Sequence, residues 1–159
     1  MINKTIVVAI LTTIVLTGTT NSFAAKFAAK GLVVRTTAYT HTESDHVKYR
    51  KKTAIGTQLR YGQIRSAAAD WSIFPLGTKL RIAGDSATYV VEDYGSALVG
   101  KRTIDLYKPS QRSMNAWGAR NVKIEIVKWG SFQKSLNVLK PRAKYRHVRR
   151  MVEQIRQKM

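Results

Sequence analysis

Residues 90–107 read VVEDYGSALVGKRTIDLY. Two strand-like runs, Tyr89–Asp93 and Thr103–Tyr107, enclose a loop that carries Gly95 and Gly100. Each run is β-branched or aromatic, and each holds an aspartate at or near an end. Burying an unpaired carboxylate costs several kcal/mol, so such strands must aim the charge away from the apolar face or pair it. In TIDLY the alternation does this. Ile104 and Leu106 take the core-facing phase, and Asp105 faces the other way with Thr103 and Tyr107.

The same period-two pattern extends to both sides. GLVVRTTAYT (31–40) reads as a first strand and QIRSAAAD (63–70) as a second, ending on Asp70. WSIFPLG (71–77) turns the chain through Pro75 and Gly77. TKLRIAG (78–84) alternates, and ATYVVEDYG returns after the Gly84-Asp85 turn. Beyond TIDLY, KPSQRSMNAWG offers Ser110 as a helix cap and Gly118 as its stop. NVKIEIVKWG (121–130) is the last strand, with Val122, Ile124 and Ile126 facing in. Residues 41–56 form a polar connection. Six short strands with one short helix imply a mainly β domain over 31–130, a mostly antiparallel or mixed barrel. From 131 to 159 the composition turns strongly basic. Ala143 onward has helical amphipathicity, with Tyr145, Val148, Val152 and Ile155 on or near one side. It reads as an extension outside the barrel.

At 159 residues the chain suits one cored domain. Its first 24 residues have the form of a cleaved secretory signal: Lys4, an apolar run from Ile6 to Leu16, then Ser22-Phe23-Ala24. That apolar run is short for a bilayer span of roughly 20 residues. Cysteine is absent, which removes disulfides and thiol-bound metal from consideration. An exported chain held by its core alone fits the periplasm or the extracellular cell envelope. The 28 Lys and Arg against nine Asp and Glu attract anions. Export makes nucleic acid an unexpected partner, which leaves anionic envelope polymers or lipid for the basic tail, or a charge serving only solubility.

Asp70, Asp93 and Asp105 each sit at or near a strand end. Carboxylates converging on one groove cannot all ionise easily, and one held protonated near neutral pH can act as a general acid. Each aspartate could equally cap a turn through its own backbone. The order of motifs adds what composition lacks. AAADWSIFPLGTKLRI, EDYGSALVGKRTIDLY and AWGARNVKIEIV together resemble the 3D domain, a family named for three aspartates. The family is similar in turn to the catalytic core of membrane-bound lytic transglycosylase A and to stationary-phase survival proteins. Its pattern is met by Asp70, Pro75, Gly77 and Thr78, by Asp93, Gly95, Gly100, Ile104, Asp105 and Tyr107, and by Trp117 and Gly118. TTAYT (36–40) and Ala54-Ile55-Gly56 are similar to the family's first strand and following loop.

The resemblance implies a six-stranded double-psi β-barrel that cleaves peptidoglycan without a cofactor or metal. Asp105 would be the general acid and base, with Asp93 and Asp70 shaping its pKa and holding the sugar. Thr37, Tyr39, Gly95, Ser96, Lys101 and Tyr107 are the matching candidates for substrate contact. In a lytic transglycosylase one carboxyl cleaves the bond between N-acetylmuramic acid and N-acetylglucosamine and leaves a 1,6-anhydro end. Ser96 departs from the family pattern, which has glycine there, and residues 41–52 have no clear counterpart. His41, Asp45 and His46 are too loosely spaced for a metal site and read as a solvated loop. Trp71, Trp117 and Trp129 are candidates for sugar stacking, with core packing expected for at least two. The competing functions are a wall-glycan binding module that has lost catalysis and a cationic adhesion protein acting through its tail.

Overall fold

Six strands close into a barrel in the order β1-β5-β2-β4-β3-β6 in a computed structural model that describes residues 31–44 and 47–159. The expected signal segment, Asp45 and His46 lie outside the described residues. The strands are β1 Leu32–Tyr39, β2 Ile64–Ala69, β3 Lys79–Ile82, β4 Thr88–Asp93, β5 Thr103–Tyr107 and β6 Arg120–Lys128. β1 runs parallel to β5 and β2 parallel to β4, while the other four contacts are antiparallel. Two parallel pairs joined through the antiparallel β2/β5 contact make this the double-psi barrel implied by the resemblance.

The alternation read from the sequence sets the inside of the barrel. Val34, Ala67, Ala69, Leu80, Ile82, Val91, Ile104, Leu106 and Ile124 are buried together in the main core. Ile124 is the fully buried residue of β6, with Val122 and Ile126 partly buried against the same core. Helix α1 spans Gln111–Trp117. Ser110 caps it in a reciprocal pair with Ser113, and Gly118 at φ 62° ends it, as the sequence suggested.

The C-terminal segment departs from expectation. It lies beyond the closed sheet, yet it is no solvated tail. Ser131 caps a helix α2 at Phe132–Leu139 that the sequence reading had not separated, and α3 follows at Arg146–Arg156. Leu136, Leu139, Val148, Met151, Val152 and Ile155 are buried in the same core as the barrel strands. Tyr145, expected on the apolar side, is half exposed, and Met151 occupies the buried stripe. The basic residues stand on the outer face. The physical reason is amphipathicity: a stripe at helical spacing buries itself whenever a partner surface is present.

Candidate active site

Register brings two of the three aspartates to one outward face. Ala68 of β2 pairs with Asp105 on one side and with Asp93 on the other. Paired residues point to the same side of a sheet, so both carboxylates flank this small residue, two strands and about 10 Å apart at the backbone. Asp93 reaches that face through an irregularity. The β2/β4 register shifts between Ala67 and Ala68, so Ala67 pairs with Val91 but Ala68 with Asp93. Plain alternation would have sent Asp93 inward with Val91. The bulge re-aims it.

Asp105 is half-buried, and the Thr37 hydroxyl, its register partner on β1, donates to its Oδ1 at 2.6 Å. Asp93 is only 7% exposed. It accepts from the Tyr94 N–H at 2.9 Å, the Ala54 N–H at 3.2 Å and the Tyr39 hydroxyl at 3.4 Å. Burial pushes its pKa from 3.8 up to about 6, against the lowering pull of those donors. Crowding was expected to cause such a shift. The like charge that contributes is Glu92, and only as a minor cause. Tyr39 lies within the field of both Asp93 and Asp105, and burial followed by these charges raises its own pKa well above 10.0.

A second apolar cluster of Tyr39, Leu59, Ala68, Leu98 and Tyr107 floors this face. The Tyr39 and Tyr107 rings meet edge-on at 5.7 Å, and the Tyr107 hydroxyl bonds His41 Nδ1 at 2.9 Å. His41, weighed from the sequence as a metal ligand, thus stands at the rim of the groove. The structure therefore gathers Asp105, Asp93, Thr37, Tyr39 and Tyr107.

The remaining candidates lie apart. Asp70 is fully buried, and its two oxygens accept from the Ser72 N–H at 2.8 Å and the Gly100 N–H at 2.6 Å. It anchors the Gly95–Gly100 loop from beneath. Gly95 opens the short 3-10 turn Ser96–Leu98 on that loop, which sends Leu98 into the groove floor. Ser96 and Lys101 are exposed on the loop, with Ser96 facing a different cleft. Trp71 is fully buried and donates to the Asp93 carbonyl at 2.8 Å, and Trp117 is partly buried. Trp129 is half exposed and stacks on Phe74.

Glu92 was missed by sequence reasoning. It is buried, bonded to the Ser66 hydroxyl at 2.5 Å and to Arg60 at 2.6 Å. The only signal was the Glu92-Asp93 pair itself, an unusual doubling of acid in a basic chain.

The raised pKa of Asp93 sets a pH dependence. A carboxyl whose folded pKa exceeds its unfolded value costs nothing when both states are protonated, and its penalty grows as pH rises through the folded pKa. The window therefore runs from about pH 4 to about pH 6, with a full penalty of roughly 3 kcal/mol above it. Asp93→Asn keeps an acceptor for the two amides and offers an NH2 toward Tyr39. Its thermal midpoint relative to wild type should rise progressively between pH 4 and pH 7. A difference that does not change with pH would remove Asp93 as a buried titrating group.

A closed mixed barrel with paired carboxylates on one outer face, an aspartate-anchored glycine loop and a Trp-Gly helix end defines the class. Residues 65–128 match the family model of the 3D domain. Over 99 residues it is 33% identical to a putative cell wall shaping protein, YabE, of Bacillus subtilis (strain 168). The aligned part covers 62% of this chain and 23% of that protein, so the chain spans about a quarter of its relative's length.

Proposed function

We propose that this protein acts on peptidoglycan in the cell envelope, as a lytic transglycosylase with Asp105 as its general acid and base. The observation that carries the reading is the face on which Asp105 and Asp93 flank Ala68 over an aromatic floor. The relative's name as a cell wall shaping protein and the match to the 3D domain model support the substrate class.

Asp105 is the more accessible of the two carboxyls and sits where a bound glycan can reach it. In the first half of the reaction its proton passes to the glycosidic oxygen as the bond to the muramic acid anomeric carbon breaks. In the second half the same carboxylate takes the proton of the muramic acid C6 hydroxyl, whose oxygen closes on that carbon. Water is neither consumed nor released, and the second carboxylate of a hydrolase pair has no step to perform. Thr37 fixes the orientation of Asp105, and Tyr39 and Tyr107 offer apolar ring faces of the kind that pack against sugars. Asp93, its pKa pushed up to about 6 by burial, is partly protonated at mildly acidic pH and there spares the groove a second full negative charge.

Digestion of purified sacculi and mass spectrometry of the products test the chemistry. Muropeptides ending in 1,6-anhydro-muramic acid, lighter by one water than hydrolytic ends, are the expected result. Reducing muramic acid ends alone would convert the reading to a hydrolase. Intact glycan after digestion, with retention of the protein on sacculi, would make the same face a binding module.

A further inference from the structure

The outer side of the Gly95–Gly100 loop faces a different feature. A cleft of about 480 Å³ opens between this loop and the first two turns of α3. Ser96 and Val99 form one wall, and Arg146, Arg149 and Arg150 with His147 form the other. Glu153 is the one acid among the described residues that line it. Both ion pairs found among the described residues lie elsewhere, at Arg60–Glu92 and Arg65–Asp85, so no described carboxylate forms an ion pair with these three guanidinium groups.

Arg150 is also held close to the loop. A Cβ placed on Gly100, whose φ is +83°, would meet the Arg150 guanidinium at 3.0 Å. The bare backbone there lets the guanidinium lie against the loop. On the same side runs a row of rings. Tyr94 meets Trp71 edge-on at 5.0 Å and His147 at 6.2 Å, and His147 stacks on Tyr145 at 6.0 Å.

Guanidinium forks match the planar edges of phosphate and carboxylate and remain charged at any physiological pH. Three of them about one cleft supply more donors than a single carboxylate accepts. Arg146 and Arg150 stand about one helical turn apart, about 6 Å along the axis, which suits anions that recur along a polymer. The hydroxyl of Ser96 and the neighbouring rings suit uncharged polyol or sugar units between the anions.

We propose that this cleft binds the phosphodiester groups of an anionic polyol-phosphate polymer. The site is separate from the Asp93–Asp105 groove and does not depend on catalysis there, although the two share the Gly95–Gly100 loop as a common wall.

Calorimetric titration of the full chain with a poly(glycerol phosphate) oligomer tests it. At ~0.15 M ionic strength, charges more than about 8 Å away are largely screened, so local contacts dominate. Arg149→Gln with Arg150→Gln, both exposed in the structure, should weaken binding by about tenfold or more through lost charge-assisted bonds. Arg35→Gln with Lys123→Gln removes the same charge from the β1/β6 seam and should change it by less than about twofold. Asp105→Asn should bind the oligomer like wild type, which separates failure of this site from failure of the catalytic reading.

Equal weakening by both double variants would reduce the effect to bulk charge and overturn the proposal. So would tighter, Arg149- and Arg150-dependent binding of a single-stranded DNA oligonucleotide or of phosphatidylglycerol vesicles, since the cleft would then serve another polyanion.

Discussion

Asp105→Asn is expected to lower glycan cleavage by about 10²–10⁴-fold while leaving the melting temperature near that of wild type. The amide keeps an oxygen for the Thr37 hydroxyl, which donates at 2.6 Å in the native protein, so the local geometry survives. What disappears is the titrating proton, and both halves of the proposed reaction need it. Release of anhydro-muropeptides from sacculi, followed over time, measures the first effect, and circular dichroism on heating measures the second. Asp93→Asn provides the comparison. Its side chain lies deeper and already spends its oxygens on Tyr39, Ala54 and Tyr94, so it should slow the reaction and shift its pH optimum without abolishing it. If the large loss falls on Asp93→Asn and Asp105→Asn stays active, the acid has been assigned to the wrong carboxyl.

Truncation after Gly130 should unfold the protein. Read from the sequence alone, the basic segment is an extension outside the barrel, and its removal would leave the barrel standing. The structure reverses that expectation. Leu136, Leu139, Val148, Met151, Val152 and Ile155 are buried in the core that includes Leu80 and Ile104. Each fully buried aliphatic side chain contributes about 1.5–3 kcal/mol. Six of them rival the whole stability of a typical domain, about 5–15 kcal/mol. The truncated chain should lose its cooperative thermal transition or precipitate on expression. Replacing exposed Lys144, Arg149 and Arg156 by Gln isolates charge from packing and should leave the transition in place. A truncated barrel that still melts cooperatively near the wild-type temperature would show that the helices are dispensable for folding.

Much of the barrel was legible in one dimension because strand alternation is a local property. TIDLY places Ile104 and Leu106 inside and Asp105 outside by parity alone, and the structure agrees. Ser110 and Gly118 bounded their helix for equally local reasons, a side-chain acceptor for the first turn and a residue tolerant of positive φ. The ordered motifs around Asp70, Asp93 and Asp105 pointed to the 3D domain, whose family model matches residues 65–128, since that pattern is linear too.

Pairing across the barrel is not written in any local stretch. Parity would have buried Asp93 beside Val91. Only the register shift opposite Ala67 and Ala68 turns it onto the face of Asp105, and a bulge is a relation between two strands. The pKa of Asp93 likewise follows from burial beneath Tyr39 and the Ala54 loop, which come from distant parts of the chain. Asp70 looked equivalent to the other two in sequence, but contact with Gly100, thirty residues away, makes it the anchor of a loop. The basic C-terminus shows the same division. Its charge and helical stripe were visible from composition and spacing, whereas the surface that covers the stripe exists only once the barrel has closed.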